Sequence, residues 1–149
     1  MYLKKLFFNL LGLRINRFHP LVFISGNPTI GKNCYIGLFS EIYSKVANVY
    51  IGDNCDIASF VSVNSSDSHK KCIGLNKNIF SKDIIIENNV FIGSHSFIKP
   101  GAVIGHHSVV AAGTIVDGIE IPAFSLIYGN PMKVKKGYYK KWLITISHF

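Results

Sequence analysis

Aliphatic residues return at every sixth position through most of this chain, a period that belongs neither to a half-buried strand nor to an amphipathic helix. The series begins Ile24, Ile30, Ile36 and Ile42, steps nine residues to Ile51, and continues through Ile57 and Val63. It resumes at Ile86, runs Ile92, Ile98, Ile104, Val110 and Val116, and closes with Ile121 and Ile127. Four positions after many of these stands a second residue, mostly smaller: Cys34, Ser40, Val46, Cys55, Val61, Val90, Ser96, Ala102, Ser108, Thr114 and Ser125. Both sets are expected to point inward. Glycine follows Ile30, Ile36, Ile51, Ile92 and Ile104, where a chain turning a corner needs a permissive backbone.

Short flat strands turned at a corner every six residues predict a parallel β-solenoid in which three hexads close one triangular coil. Successive coils then stack at about 4.8 Å, the ordinary strand spacing, and about five coils fit this length. Cys34 and Cys55 fall on the small inward position, so they read as packing residues rather than nucleophiles. The ladder breaks in "VNSSDSHKKCIG", Val63 to Gly74, and regains phase at Ile84 to Ile86. A polar excursion of that length, about residues 64–80, is expected to leave the prism as a functional loop.

Charge narrows the partners. With 16 Lys+Arg against 8 Asp+Glu, the net +8 favours an anionic partner such as a nucleic acid, a membrane surface or a phosphorylated ligand. No nucleic-acid-binding motif or basic recognition helix accompanies it, so nucleic acid is not expected. The three cysteines match no zinc or haem spacing and suit a reducing compartment. The start "MYLKKLFFNLLGLRINRF" lacks a cleavage site, and no run of about 18 apolar residues occurs. The expectation is therefore a cytoplasmic protein, with the sequon at Asn64 a chance match.

Two stretches carry a family resemblance: "VFIGSHSFIKPGAVIGHHSVVAAGTIV" from Val90 to Val116, and "IPAFSLIYGNPMKVKK" from Ile121 to Lys136. Over about residues 24–136 the chain resembles the hexapeptide-repeat, left-handed β-helix acyltransferases, and within them the sugar and cell-surface polysaccharide O-acetyltransferases. The resemblance implies an all-β left-handed parallel β-helix over 19–131, an amphipathic cap segment over 1–18 and a tail over 132–149, with short helical segments at both ends. It implies a homotrimer with its acyl-carrier cleft between adjacent prisms, acetyl-CoA as co-substrate, and a sugar or polysaccharide acceptor. His69 in the loop string "SDSH" inherits the general-base position. Ser94 and Ala112 match positions lining the pantetheine cleft, and Lys133 and Lys136 match basic positions near the nucleotide end. Phe91 stands where many relatives have tryptophan, keeping an aromatic wall for the acceptor without an indole donor.

The chemistry has a physical demand for such a histidine. A sugar hydroxyl attacks a thioester poorly until its proton is removed, and an imidazole ordinarily titrates near pH 6.5, so it can accept that proton at neutral pH. Asp67 either orients His69 or bonds its own turn backbone, and both readings stay open. His95, His106 and His107 read as surface or corner residues, and no metal is expected. The segment with Leu3, Leu6, Phe7, Leu10, Leu11 and Leu13 against Lys4, Lys5 and Arg14 reads as an amphipathic helix. It caps the prism, the favoured reading, or rests peripherally on an anionic inner membrane. An N-acetyltransferase of a nucleotide-linked amino sugar and a noncatalytic β-helical scaffold remain as alternatives, since the ladder alone does not specify chemistry.

Overall fold

The computed structural model describes residues 2–10 and 17–141, and it is a left-handed parallel β-helix of five coils. The first face stacks Phe23–Gly26, Glu41–Ser44, Ser62–Asn64, Phe97–Ile98 and Ile115–Val116. The second stacks Thr29–Ile30, Val49–Ile51, Ile84–Ile86, Val103–Ile104 and Glu120–Ile121. The third stacks Tyr35–Ile36, Asp56–Ile57, Phe91–Ile92, Val109–Val110 and Leu126–Tyr128, and Lys133–Lys135 closes its edge antiparallel to the last of these.

The six-residue period becomes in-register columns. Ile30, Ile51, Ile86, Ile104 and Ile121 pair in sequence up the second face, and Ile36, Ile57, Ile92, Val110 and Ile127 up the third. Apart from Ile30 in the terminal coil these side chains are buried, so each strand contributes one aliphatic to a continuous dry interior. The small inward hydroxyls bond backbone: Ser40 Oγ donates to Ala58 O at 2.9 Å, and Ser96 Oγ to Ala111 O at 3.1 Å. Among the described residues no buried side-chain polar atom lacks a partner. Cys55 is buried at the expected inward place, and Cys34, nearer the open end, is half-buried with its Sγ 3.0 Å from Gly52 O.

Two details differ from the sequence reading. Val46 points outward and is 51% exposed, while Val49 takes the inward place with no exposure. The three extra residues between Ile42 and Ile51 bow out of the prism, held by Ser44 Oγ, which donates to Ala47 O and accepts from Val49 N. The inward place is therefore fixed by counting back from the next strand. The glycine that follows five of the ladder isoleucines is also needed for a different reason. A Cβ at Gly93 would lie 2.5 Å from Ala112 N in the next coil, so glycine there permits close stacking. The left-handed backbone falls two residues later, at Asn33, Phe39, Asn54, Phe60, Asn89, His95, His107 and Phe124.

At the N-terminal end Phe18 packs on the core beside buried Val22; at the other end Met132 and Val134 do so. The amphipathic helix, α1, spans Tyr2–Leu10, with Leu3, Leu6 and Leu10 exposed. Residues 11–16 and 142–149 lie outside the described set, and with them Leu11, Leu13 and Arg14 of the expected cap segment. No helix among the described residues is long and apolar enough to cross a membrane.

Candidate active site

The chain leaves the corner between the first and second faces at Ser65, which is fully buried and donates its hydroxyl to Tyr43 O and Ala47 O, each at 3.0 Å. Outside the prism Ser66–Asp67 pairs antiparallel with Phe80–Ser81, and a helical turn, α2, spans His69–Cys72. Lys82 N returns to Ser65 O at 3.1 Å, and Asp83 Oδ1 accepts from Asn48 N at 2.8 Å. A rigid corner thus carries a narrow two-stranded neck, and the neck presents α2.

The Asp67 carboxylate contacts both the His69 ring and the turn backbone. Its Oδ1 accepts the backbone N–H of His69 at 2.9 Å and lies 2.6 Å from His69 Nδ1. The backbone N–H, and next the imidazole, hold the Asp67 carboxyl below the usual carboxylate range, with Lys99 adding to the effect. Against an ionised carboxylate at that distance Nδ1 is the donor, and Nε2 is the ring nitrogen left without that partner. The His69 side chain is 61% exposed, and it borders a depression of about 320 Å³ with Asp67, Lys70, Phe80, Lys99, Pro100 and Gly118.

Sequence reasoning missed most of that lining. Lys99 Nζ meets Asp117 Oδ1 at 2.7 Å across one coil, a pairing legible in the 18-residue coil length. Phe80 arrives opposite Asp67 only through the pairing of the loop neck, which no repeat encodes.

The remaining candidates lie elsewhere in the chain. Ser94 and Ala112 occupy adjacent coils at the corner between the third and first faces, where Ser94 O accepts from Gly113 N at 2.8 Å. The first face separates that corner from the one bearing His69. Phe39, Phe60 and His95 stack up the same corner, with ring centroids 5.2 and 4.9 Å apart. Phe91 is exposed on the outer side of the third face between Asp56 and Val109. Lys133 is exposed opposite Tyr128 on the closing strand, and Lys136 is exposed in the turn after it. Lys135, not singled out from sequence, lies over Tyr128 and Tyr138. A single prism does not gather His69 with Ser94, Ala112, Phe91 or the lysines.

A second depression, of about 380 Å³, lies at the corner between the second and third faces, lined by Glu87, Asn88, Asn89, His106 and His107. Glu87 Oε2 accepts the His106 backbone N–H at 2.7 Å, and the two Nδ1 atoms face each other at 2.9 Å. Among the described residues no three His, Cys, Asp or Glu side chains gather as a metal site requires.

Known proteins share this architecture. A family model described as "Hexapeptide repeat of succinyl-transferase" matches residues 29–64 and 83–117, the two runs on either side of the loop. The chain is 41% identical over 114 residues to the polysialic acid O-acetyltransferase of Escherichia coli O1:K1 / APEC; the match covers 72% of this chain and 35% of that protein, so the chain spans about a third of its curated relative. The crystal structure of the polysialic-acid-specific acetyltransferase NeuO superposes with a TM-score of 0.64 at 30% identity, covering 77% of this chain and 60% of that one. A galactoside acetyltransferase in complex with coenzyme A gives 0.70 at 35% identity, covering 86% and 64%. By its repeats, its coil geometry and these likenesses, the chain belongs to the hexapeptide-repeat, left-handed β-helix acyltransferase family.

Proposed function

We propose that this protein is an acetyl-CoA-dependent O-acetyltransferase acting on a hydroxyl of a bacterial cell-surface polysaccharide or its sugar precursor. The observation that carries this reading is the Asp67–His69 pair, an imidazole tethered through Nδ1 at 2.6 Å on a loop extruded from a rigid scaffold. Nε2 of His69 takes the proton of the acceptor hydroxyl as its oxygen attacks the thioester carbonyl. The tetrahedral adduct collapses to the acetyl ester and expels the coenzyme A thiolate, which recovers the proton from the imidazolium. Asp67 holds the ring in the required tautomer and stabilises its charge, as a carboxylate does in hydrolase triads. General-base help of this kind is worth about 10²- to 10⁴-fold. The coenzyme A bound in the galactoside acetyltransferase supports acetyl-CoA as the donor.

The site is completed between copies in a homotrimer. Two observations support this: the first face separates the His69 corner from the Ser94 and Ala112 corner, and Ile73 and Leu75 in the loop are 65% and 75% exposed. In that assembly Ser94 and Ala112 line the pantetheine path, Lys133 and Lys136 meet phosphate as point charges, and Phe91 walls the acceptor. The test is release of free coenzyme A from acetyl-CoA by the purified chain. Release that requires added sugar and disappears in His69→Asn supports the reading; sugar-independent or absent release across an acceptor panel rejects it.

A further inference from the structure

The depression beside His69 has a charge character that the acyl-transfer chemistry does not require. Its one carboxylate, Asp67, is engaged by His69, and its Lys99 is paired with Asp117, which lies outside the lining. Lys70, on the first turn of α2, lines the same depression and forms no ion pair among the described residues. The surrounding loop adds Lys71, Lys77 and Lys82, also without ion pairs, while its other acid, Asp83, is engaged by Asn48. Lys99 is steadied by Asp117, yet an ammonium carries three donors, so it can bond a second anion without leaving its partner. Phe80, 49% exposed, supplies an apolar wall in the same depression.

Resting on the acetyltransferase reading, we infer that the acceptor is an anionic sugar, whose negative group is taken by Lys70 with Lys99 while one of its hydroxyls meets Nε2 of His69. An unpaired ammonium beside a site of about 320 Å³, room for a sugar ring with its substituents, attracts such an acceptor and orients it against the base. A neutral sugar leaves Lys70 without a counter-charge. Lys70 is therefore a specificity residue: it acts on the acceptor's anion and takes no part in proton transfer. The anion is a ring carboxylate or the diphosphate of a nucleotide-linked sugar, and these two sources are separable by experiment.

The acceptors to compare are sialic acid oligomers, hexuronic acid oligomers, the same oligomers with the carboxyl group reduced to the alcohol, and UDP-glucose. The expected result is that kcat/KM for one anionic class exceeds that for the neutral oligomers by about tenfold or more, the worth of one charge-assisted hydrogen bond. Preference for the acidic oligomers assigns the carboxylate, and preference for UDP-glucose assigns the diphosphate. Lys70→Gln must erase the preference by raising KM for the anionic acceptor far more than for the neutral one. Equal use of acidic and neutral acceptors, or equal losses on both in Lys70→Gln, overturns the inference. If no acceptor is acetylated the transferase reading fails, and saturation-transfer NMR without acetyl-CoA still decides the charge selection. Tighter binding of the anionic sugar, abolished in Lys70→Gln, supports it, and indifference to charge or to the substitution refutes it.

Discussion

Two corners of the prism hold an imidazole beside a carboxylate in an open depression, and they use these groups in opposite ways. At the loop corner the Asp67 carboxylate binds a ring nitrogen of His69 and leaves the other nitrogen open. At the corner between the second and third faces the Glu87 carboxylate is spent on the His106 backbone, and the His106 and His107 rings face each other. Phe124 lies edge-on to His106 and stacks on His107. His107 also occupies the left-handed place that Asn33, Asn54 and Asn89 fill in other coils, so the repeat itself dictates its backbone. Histidine at the left-handed place of the ladder serves the turn; histidine in the inserted loop is released from that duty, which the proposed proton transfer requires.

The sharpest way to break this contrast is to make the same substitution at both corners. His69→Asn should lower turnover by about 10²- to 10⁴-fold, with acetyl-CoA affinity and melting nearly unchanged. His107→Asn should stay within about twofold of wild type, since asparagine tolerates the left-handed backbone. Steady-state kinetics on both variants decide it, and comparable losses would dissolve the distinction between ladder and loop. The acid limb belongs to the same test. The wild-type rate should fall on the acid side of its pH profile, because a protonated ring has no lone pair to offer, and that limb should vanish in His69→Asn.

Asp67→Asn probes what the carboxylate adds. Removing the charge while keeping the shape should reduce kcat by at least about 10-fold and by at most about 10⁴-fold, the loss when a triad carboxylate becomes an amide, with KM for acetyl-CoA unaffected. A kcat equal to wild type would leave Asp67 as a turn residue alone.

Stability should divide the molecule the other way. Ile98→Ala empties a fully buried place in the column Ile42, Val63, Ile98 and Val116 and should cost about 2–5 kcal/mol by denaturant melting. His69→Asn should cost under about 0.5 kcal/mol. Thiol labelling gives a finer view of the same division: burial pushes the Cys55 thiol up to about 11, so at pH 8 a maleimide should modify exposed Cys72 and spare Cys55 until the prism unfolds. Rapid modification of Cys55 in the native protein would contradict its place in the core.

The smallest expected effect is the pH dependence of the loop neck. The Asp67 carboxyl is depressed in the folded state, so its contribution is present above the ordinary aspartate range near pH 4 and is lost as pH falls through the depressed value. For a pair this exposed the contribution is under about 0.5 kcal/mol, and Asp67→Asn should flatten the acid side of the stability curve by no more than that.

By itself the sequence determined the coil. Inward aliphatics at a period of six, small residues four places on and glycines between leave one economical way to bury apolar surface, because strand pairing places each aliphatic on the next. The loop's position and its histidine were also legible, since a polar run that breaks the ladder cannot stay inside it. Three matters required tertiary structure. The nine-residue step to Ile51 hid Val49 and exposed Val46, because the inward place depends on the strand that follows. The glycine after Ile30, Ile36, Ile51, Ile92 and Ile104 proved to answer the neighbouring coil's backbone, a contact between residues 19 positions apart at Gly93 and Ala112. Phe80, Lys99 and Gly118 came together around His69 only because a hairpin neck folds beside two later coils, and distances set by that neck have no period for a sequence to display.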